Sequence, residues 1–463
     1  MSEKKRLFHL VAERSLAGML GFVFFIAGTF AALPRGYAEE NVRWPQWRGE
    51  RHDGISEEIG LPTTWNEKTG ENILWVKPIP PWGSSTPVIW GDKMFFTTQT
   101  EEKELLVLCL NRLTGEELWR QAVGVPEEDD RTLDYSGKEG EGRKRQQFHA
   151  EHNQATPSCV TDGQRVICHF GTGDLAAFTL DGAPLWKRNL QEMFGTFSIW
   201  WGHANSPVLF EDLVIVASLQ DPCMGLGEKD IDSYIVAFYK ETGEVAWRTL
   251  RNVGVDREPA DAYITMPIQE VNGEPQMLVV AGLCADAYHP RTGERLWWYP
   301  GLIGNRNVTS PIFAGELGIF TQGHRKGVMA LPLDKKGELS EKDVVWVYER
   351  NCPDSSNPVF YDGKLFMVAN DGIAQCLEAA SGDVLWTKRL EDNHRASPVV
   401  ADGKLFFLNF RGRTLIMVPS GEDEELGEGR VEDTTFASLV IVDGKIYLRG
   451  REKMYCIGLR LGE

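Results

Sequence analysis

Four of the nine histidines in this 463-residue chain, His149, His152, His203 and His394, stand eight residues or fewer ahead of a Pro that opens an apolar run. Their neighbours are polar as well: Glu151, Asn153 and Gln154 beside the first two, Asn205 after His203, and Asn393 and Arg395 flanking His394. Asn305, Arg306 and Asn307 precede Pro311 in the same way, and Asn357 precedes Pro358. Imidazole, amide and guanidinium groups offer hydrogen bonds in several geometries, a set suited to a carboxylate, a sugar or a peptide where the segments converge. His149, His152, Asn153, His203, Asn205, Arg306, Asn357, His394 and Arg395 are therefore the candidate ligand-binding residues. The alternative is that they satisfy loop backbone around a water-filled channel.

Metal and covalent chemistry find less support. His149 and His152 lie three apart, which places them on opposite faces of extended chain, and the HExxH helix that makes such pairs persuasive is missing. There is no CxxC pair and no zinc-type Cys/His spacing. Gly171-Thr-Gly173-Asp174 has no Lys after it and no helix to follow, so it reads as a turn and not a phosphate loop. His324-Arg325-Lys326 reads as a solvated corner. No catalytic residue and no metal ligand is assigned. Trp200-Trp201 and Trp298 suit either stacking on a sugar ring or peptide, or packing between structural units.

The elements that must position these residues come from a repeat. A small residue, Pro and an apolar run recur at Pro87, Pro157, Pro207, Pro311, Pro358 and Pro398, with looser copies at Pro267 and Leu439. A turn follows each within a few residues, as in Asp362-Gly363 and Asp402-Gly403, and apolar runs on either side of Asp-Gly make hairpins. A Gly four residues before a Trp closes the unit at Trp119, Trp186, Trp247, Trp297 and Trp386, with variants at Trp75 and Trp346. These seven of 15 Trp share one place, a fourth strand packed between neighbouring units. The expected fold is all-β: an eight-bladed propeller of four-stranded antiparallel blades over residues 71–463, the last blade closed by an N-terminal strand at 71–78. Residues 39–70 are expected to form a strap, 123–154 a polar insertion between the first two blades, and 220–232 a smaller one.

The chain carries 67 Asp and Glu against 49 Lys and Arg, a formal charge of −18, which excludes a general nucleic-acid binder. Lys4, Lys5 and Arg6 precede an uncharged stretch to Leu33, and Gly36-Tyr37-Ala38 supplies small residues, so 1–38 reads as a secretory signal. Its removal leaves 425 residues at −21. An uncleaved segment would instead be a membrane tether. Eight Cys in an exported chain permit disulfides; Cys109, Cys376 and Cys456, in apolar runs, read as buried hydrophobes.

The alternation of SPxV, DGK and TGExLW resembles the pyrroloquinoline-quinone-like (PQQ-like) propeller repeats, and WPQWRG with DGIS, LPTTW and ENILWVKP looks like a group of exported bacterial propellers. The resemblance covers residues 41–463 and implies either a binding scaffold, like the outer-membrane assembly propeller, or a quinoprotein dehydrogenase. The dehydrogenases typically pair the quinone with Ca²⁺ and stack it on a vicinal disulfide; this chain has no adjacent Cys pair and no CxxCH haem motif. The expectation is thus a periplasmic or extracellular, monomeric, non-enzymatic binding protein for a protein partner or a small polar or carbohydrate ligand. No cofactor is expected, with PQQ and calcium as the alternative.

Overall fold

The computed structural model describes residues 42–125, 132–133, 143–144, 151–224, 231–324 and 326–460. The expected signal segment lies outside them, as do His149 and most of the expected insertion, of which a two-stranded hairpin, Thr132–Leu133 with Arg143–Lys144, is described. Among the described residues no helix is long and apolar enough to cross a membrane.

Short antiparallel strands account for nearly everything, each blade running outward from an inner strand that faces a central axis. The first blade is Val88–Trp90, Lys93–Gln99, Leu105–Asn111 and Glu117–Gly124, and the second is Val160–Thr161, Arg165–His169, Asp174–Thr179 and Pro184–Asn189. The expectation of an eight-bladed propeller of four-stranded antiparallel blades is corrected to seven self-contained blades. Seven blades are built from consecutive strands of their own, and the remaining sheet is composite: Val440–Val442, Lys445–Arg449 and Lys453–Ile457 take Ile73–Pro78 from the other end of the chain as their outer strand. Three of the seven also carry added strands, one of them antiparallel and the others parallel. Arg43–Trp44 extends the first blade, Gly337–Glu338 the fourth, and Ile55–Ser56 with Trp65–Asn66 flank the seventh.

The repeated Trp explains how blades join. The indole N–H of Trp119 donates to the Leu180 carbonyl of the next blade, and that of Trp186 to the Lys240 carbonyl, both at 3.0 Å. The face of each indole lies against the turn glycine of that blade: a Cβ on Gly182 or Gly243 would come within 2.7 Å of the ring, and both glycines have positive φ. The turn glycine, in Asp181-Gly182-Ala183 as in Thr242-Gly243-Glu244, is therefore the socket for the preceding blade's Trp. The seventh blade has no such Trp in its outer strand Glu425–Arg430. Trp65, 1% exposed, fills the place from the parallel strand beside it, and Gly429 leaves room, since a Cβ there would meet the indole at 1.8 Å.

Strand register also corrects one repeat assignment. Val160 pairs with Ile167 as Val88 pairs with Phe95 and Val208 with Ile215, so Cys159 takes the repeat place held elsewhere by Pro, and Pro157 stands two residues too early. Cys159 forms a disulfide with Cys168 on the adjacent strand. Cys109, Cys376 and Cys456 are buried and unbridged.

Residues 42–56 cross the base of the ring. The Pro45 carbonyl accepts from Thr161 of the second blade, Gln46 Oε1 from the Leu209 N–H of the third, and the Gly54 carbonyl from Val400 of the seventh. Arg48, 2% exposed, sends Nη2 to the Pro358 carbonyl at 2.9 Å and Nη1 toward the Pro398 carbonyl at 3.5 Å. Burial lowers its pKa to about 10, against the opposing pull of the Asp53 carboxylate.

Candidate functional site

The repeated small residue before Pro does more than start a strand. The Thr86 N–H donates to Ser158 Oγ of the next blade at 2.9 Å, and the Ser158 N–H to Ser206 Oγ at 3.0 Å. Farther round, Thr265 donates to Ser310 Oγ at 2.8 Å, Ser310 to Asn357 Oδ1 at 3.3 Å, Asn357 to Ser397 Oγ at 2.9 Å, and Ser397 to Ser438 Oγ at 3.0 Å. A short polar side chain accepts from one blade while its own N–H serves the next. Where Pro follows, as after Thr86, Ser206, Ser310, Asn357 and Ser397, it adds no N–H needing a partner and holds the residue before it extended. This belt lies on the wall of a cavity of about 700 Å³.

Position along each inner strand orders the cavity. The loops entering the blades, with Glu151, Arg306 and Arg395, form the mouth; the belt comes next; the strap lies beneath, with Trp47 reaching the cavity as its floor. The funnel is thus closed at one end by residues 42–56. Its mouth is crossed by ion pairs between distant parts of the chain. Arg395 Nε lies 2.8 Å from Glu151 Oε2, and Arg306 Nη1 lies 3.1 Å from Glu258 Oε1. Glu258 also accepts from Trp201 Nε1 at 3.1 Å and from Asn305 Nδ2 at 3.0 Å. Asp354 sits 2.8 Å from His324 Nδ1 and 3.8 Å from Arg306 Nη2. Trp201 is set further by its N–H, which donates to the Tyr263 hydroxyl at 3.2 Å, and by its neighbour Trp200, whose N–H donates to Asp261 Oδ2 at 2.8 Å.

Of the candidate residues, His152, Arg306, Asn357 and Arg395 line this cavity. Three others are in the wall. His203 is fully buried, stacked on Phe197 with ring centroids 4.5 Å apart, edge-on to His169, and bonded through Nε2 to the Ala217 carbonyl at 3.0 Å. Asn205 is fully buried and His394 is 2% exposed. Asn153 is used locally, its Oδ1 accepting from the Ala155 N–H at 2.8 Å. Desolvation holds the His169 and His394 pKa values down at about 4 and the His203 value well below the usual imidazole range. These histidines are neutral wall, and among the described histidines His152 alone lines the cavity. Trp298 is accounted for by the Arg295 guanidinium, 4.4 Å from its ring centroid. Sequence reasoning missed Trp47, Tyr263, Asp354 and every belt residue but Asn357 as funnel lining; the belt's signal was the short polar residue heading each apolar run, taken as a strand opener alone.

A calcium-bound quinone would call for a vicinal disulfide beneath the quinone and several oxygen donors for the cation. The one disulfide is fully buried between neighbouring strands with no face to the cavity. Glu151 and Asp354 face guanidinium or imidazole groups, and no three His, Cys, Asp or Glu residues among those described converge as a cation's donor set.

A family model described as outer membrane protein assembly factor BamB matches residues 60–221, 103–388 and 233–463. No curated protein sequence matches the chain. Among solved structures, BamB from Moraxella catarrhalis is 12% identical with a TM-score of 0.54, over 84% of this chain and 98% of its own. Quinohemoprotein alcohol dehydrogenase from Comamonas testosteroni is 13% identical with a TM-score of 0.64, over 93% of this chain and 83% of its own. Quinohemoprotein alcohol dehydrogenase ADHIIG from Pseudomonas putida HK5 is 10% identical with a TM-score of 0.59, over 91% and 81%. At these identities the likeness to solved structures concerns the fold, while the family match spans the blades from end to end: the chain belongs to the PQQ-like propeller family described as outer membrane protein assembly factor BamB.

Proposed function

We propose that this is an exported binding propeller that holds a ligand or the end of a partner protein in its funnel and performs no turnover there. The observation that carries the reading is the one-ended cavity of about 700 Å³, with an aromatic floor, a hydroxyl and amide belt and a mouth of paired charges. Such a wall offers many hydrogen bonds and little acid–base reactivity, because its wall histidines are held neutral and its mouth carboxylates face cations. The family's assembly-factor description agrees with a binding role, and the dehydrogenase neighbours define the competing one.

The test is to add pyrroloquinoline quinone and Ca²⁺ to the purified full chain, measuring quinone uptake and dye reduction with alcohols and sugars. No stoichiometric uptake and no dye reduction is the expected result. Tight one-to-one binding with turnover would overturn the binding-protein reading.

A further inference from the structure

Resting on that reading, we propose that the funnel recognises the end of an uncharged saccharide chain. The belt is the reason. A hydroxyl has one proton and two lone pairs, and in Ser158, Ser206, Ser310, Ser397 and Ser438 the oxygen accepts a backbone N–H from the preceding blade. The oxygen is thereby fixed in place while the proton remains to be donated. All five residues line the cavity, yet are only 2–6% exposed, so these donors sit in a largely desolvated wall. A ring of fixed donors beside the indoles of Trp47 and Trp201 matches a molecule with acceptors all round its rim and apolar faces above and below, which describes a pyranose ring.

The same wall disfavours the other polymers of that width. A peptide needs pockets for its side chains, whereas the apolar lining is small, Ala204, Val308 and Ala437, apart from the aromatic rings. An acidic chain needs cationic groups without carboxylate neighbours, whereas Arg306 and Arg395 already face Glu258 and Glu151, and Asp354 and Asp371 add negative charge to the lining.

The experiment is tryptophan fluorescence titration and affinity electrophoresis of the full chain. The probes are neutral hexasaccharides of β-1,4-glucan, β-1,3-glucan, α-1,4-glucan and β-1,4-mannan, with hexagalacturonate and a Gly-Ser-Asn hexapeptide as contrasts. At least one neutral chain should bind, weakened about tenfold or more by Trp201→Ala and restored in part by Trp201→Phe, a loss on the order of 1.4 kcal/mol. Ser397→Ala should weaken the same chain, with its melting temperature recorded to separate binding from folding. Binding of no neutral chain, or binding indifferent to Trp201→Ala, would overturn the inference. Preference for the peptide or hexagalacturonate would also overturn it while leaving the funnel as a binding site; quinone turnover in the earlier test is what removes the binding reading itself.

Discussion

The blades are joined twice, by indoles at the outer edge of the ring and by hydroxyls at the inner edge, and the two joints differ in what they leave over. At the outer joint Trp119 gives its N–H to a carbonyl and its face to Gly182, so both parts of the side chain are used within the protein. At the inner joint Ser397 uses its oxygen on the Asn357 N–H and keeps its proton for the cavity. The outer seam therefore concerns stability alone. The proposed binding role places recognition where the repeat leaves hydrogen-bonding capacity unfilled.

Removing an indole from the outer seam should have the largest effect. Trp65→Ala deletes a fully buried ring over Gly429, and is expected to cost about 3–5 kcal/mol, read as a lower urea midpoint. Ligand binding by the folded fraction should persist; its loss would break the separation of seam from funnel.

Next is the inner wall at the second blade. Cys159→Ser with Cys168→Ser opens a link between residues nine apart and should cost about 2–3 kcal/mol on loop-closure grounds, measurable as a shift that reductant does not add to. An unchanged melting temperature would show that the belt needs no clamp there.

The wall histidines supply a pH dependence. His169 is neutral in the folded state with its pKa lowered to about 4, against 6.5 for the unfolded chain. Above pH 6.5 neither state takes a proton; as pH falls from 6.5 toward 4 the unfolded chain does and the folded chain does not. Stability is lost through that window at about 1.4 kcal/mol per pH unit for each such histidine. His394, also lowered to about 4, adds to it. Urea midpoints at pH 7.5 and pH 5 should differ less in His169→Gln than in the unsubstituted chain. An equal difference would contradict the neutral-wall account.

The smallest effect is expected on the outer surface. Lys93 pairs with Asp181 of the next blade, and the carboxylate side chain is 88% exposed. Asp181→Asn should leave the melting temperature where it is, because an exposed pair gains little over its hydration. A clear drop would mean that surface charge, and not the buried indole, holds that seam.

Much of the fold was legible because the repeat is written in residues with fixed backbone roles. Asp-Gly marks hairpins, and the Gly four residues before a closing Trp is the socket for the preceding blade's indole. The pairing of Ile73–Pro78 with Lys453–Ile457 follows from a Trp strand that precedes any opening unit. Other features depend on contacts that spacing does not encode. The second blade has Cys159 where a Pro was expected, because a disulfide and strand register set its start. The seventh blade borrows Trp65 through a parallel pairing that no local pattern announces. His203 and His394 were polar residues at the right place in the repeat, yet backbone direction turned them into the wall. Arg306 and Arg395 reached the cavity, facing carboxylates far away in sequence.

Isothermal titration calorimetry on the full chain and on Trp201→Ala tests the central claim most directly, with the tightest neutral hexasaccharide in one series and pyrroloquinoline quinone with Ca²⁺ in the other. The account predicts one-to-one saccharide heat that Trp201→Ala abolishes, and no stoichiometric quinone heat. Stoichiometric quinone uptake with no saccharide heat would contradict it.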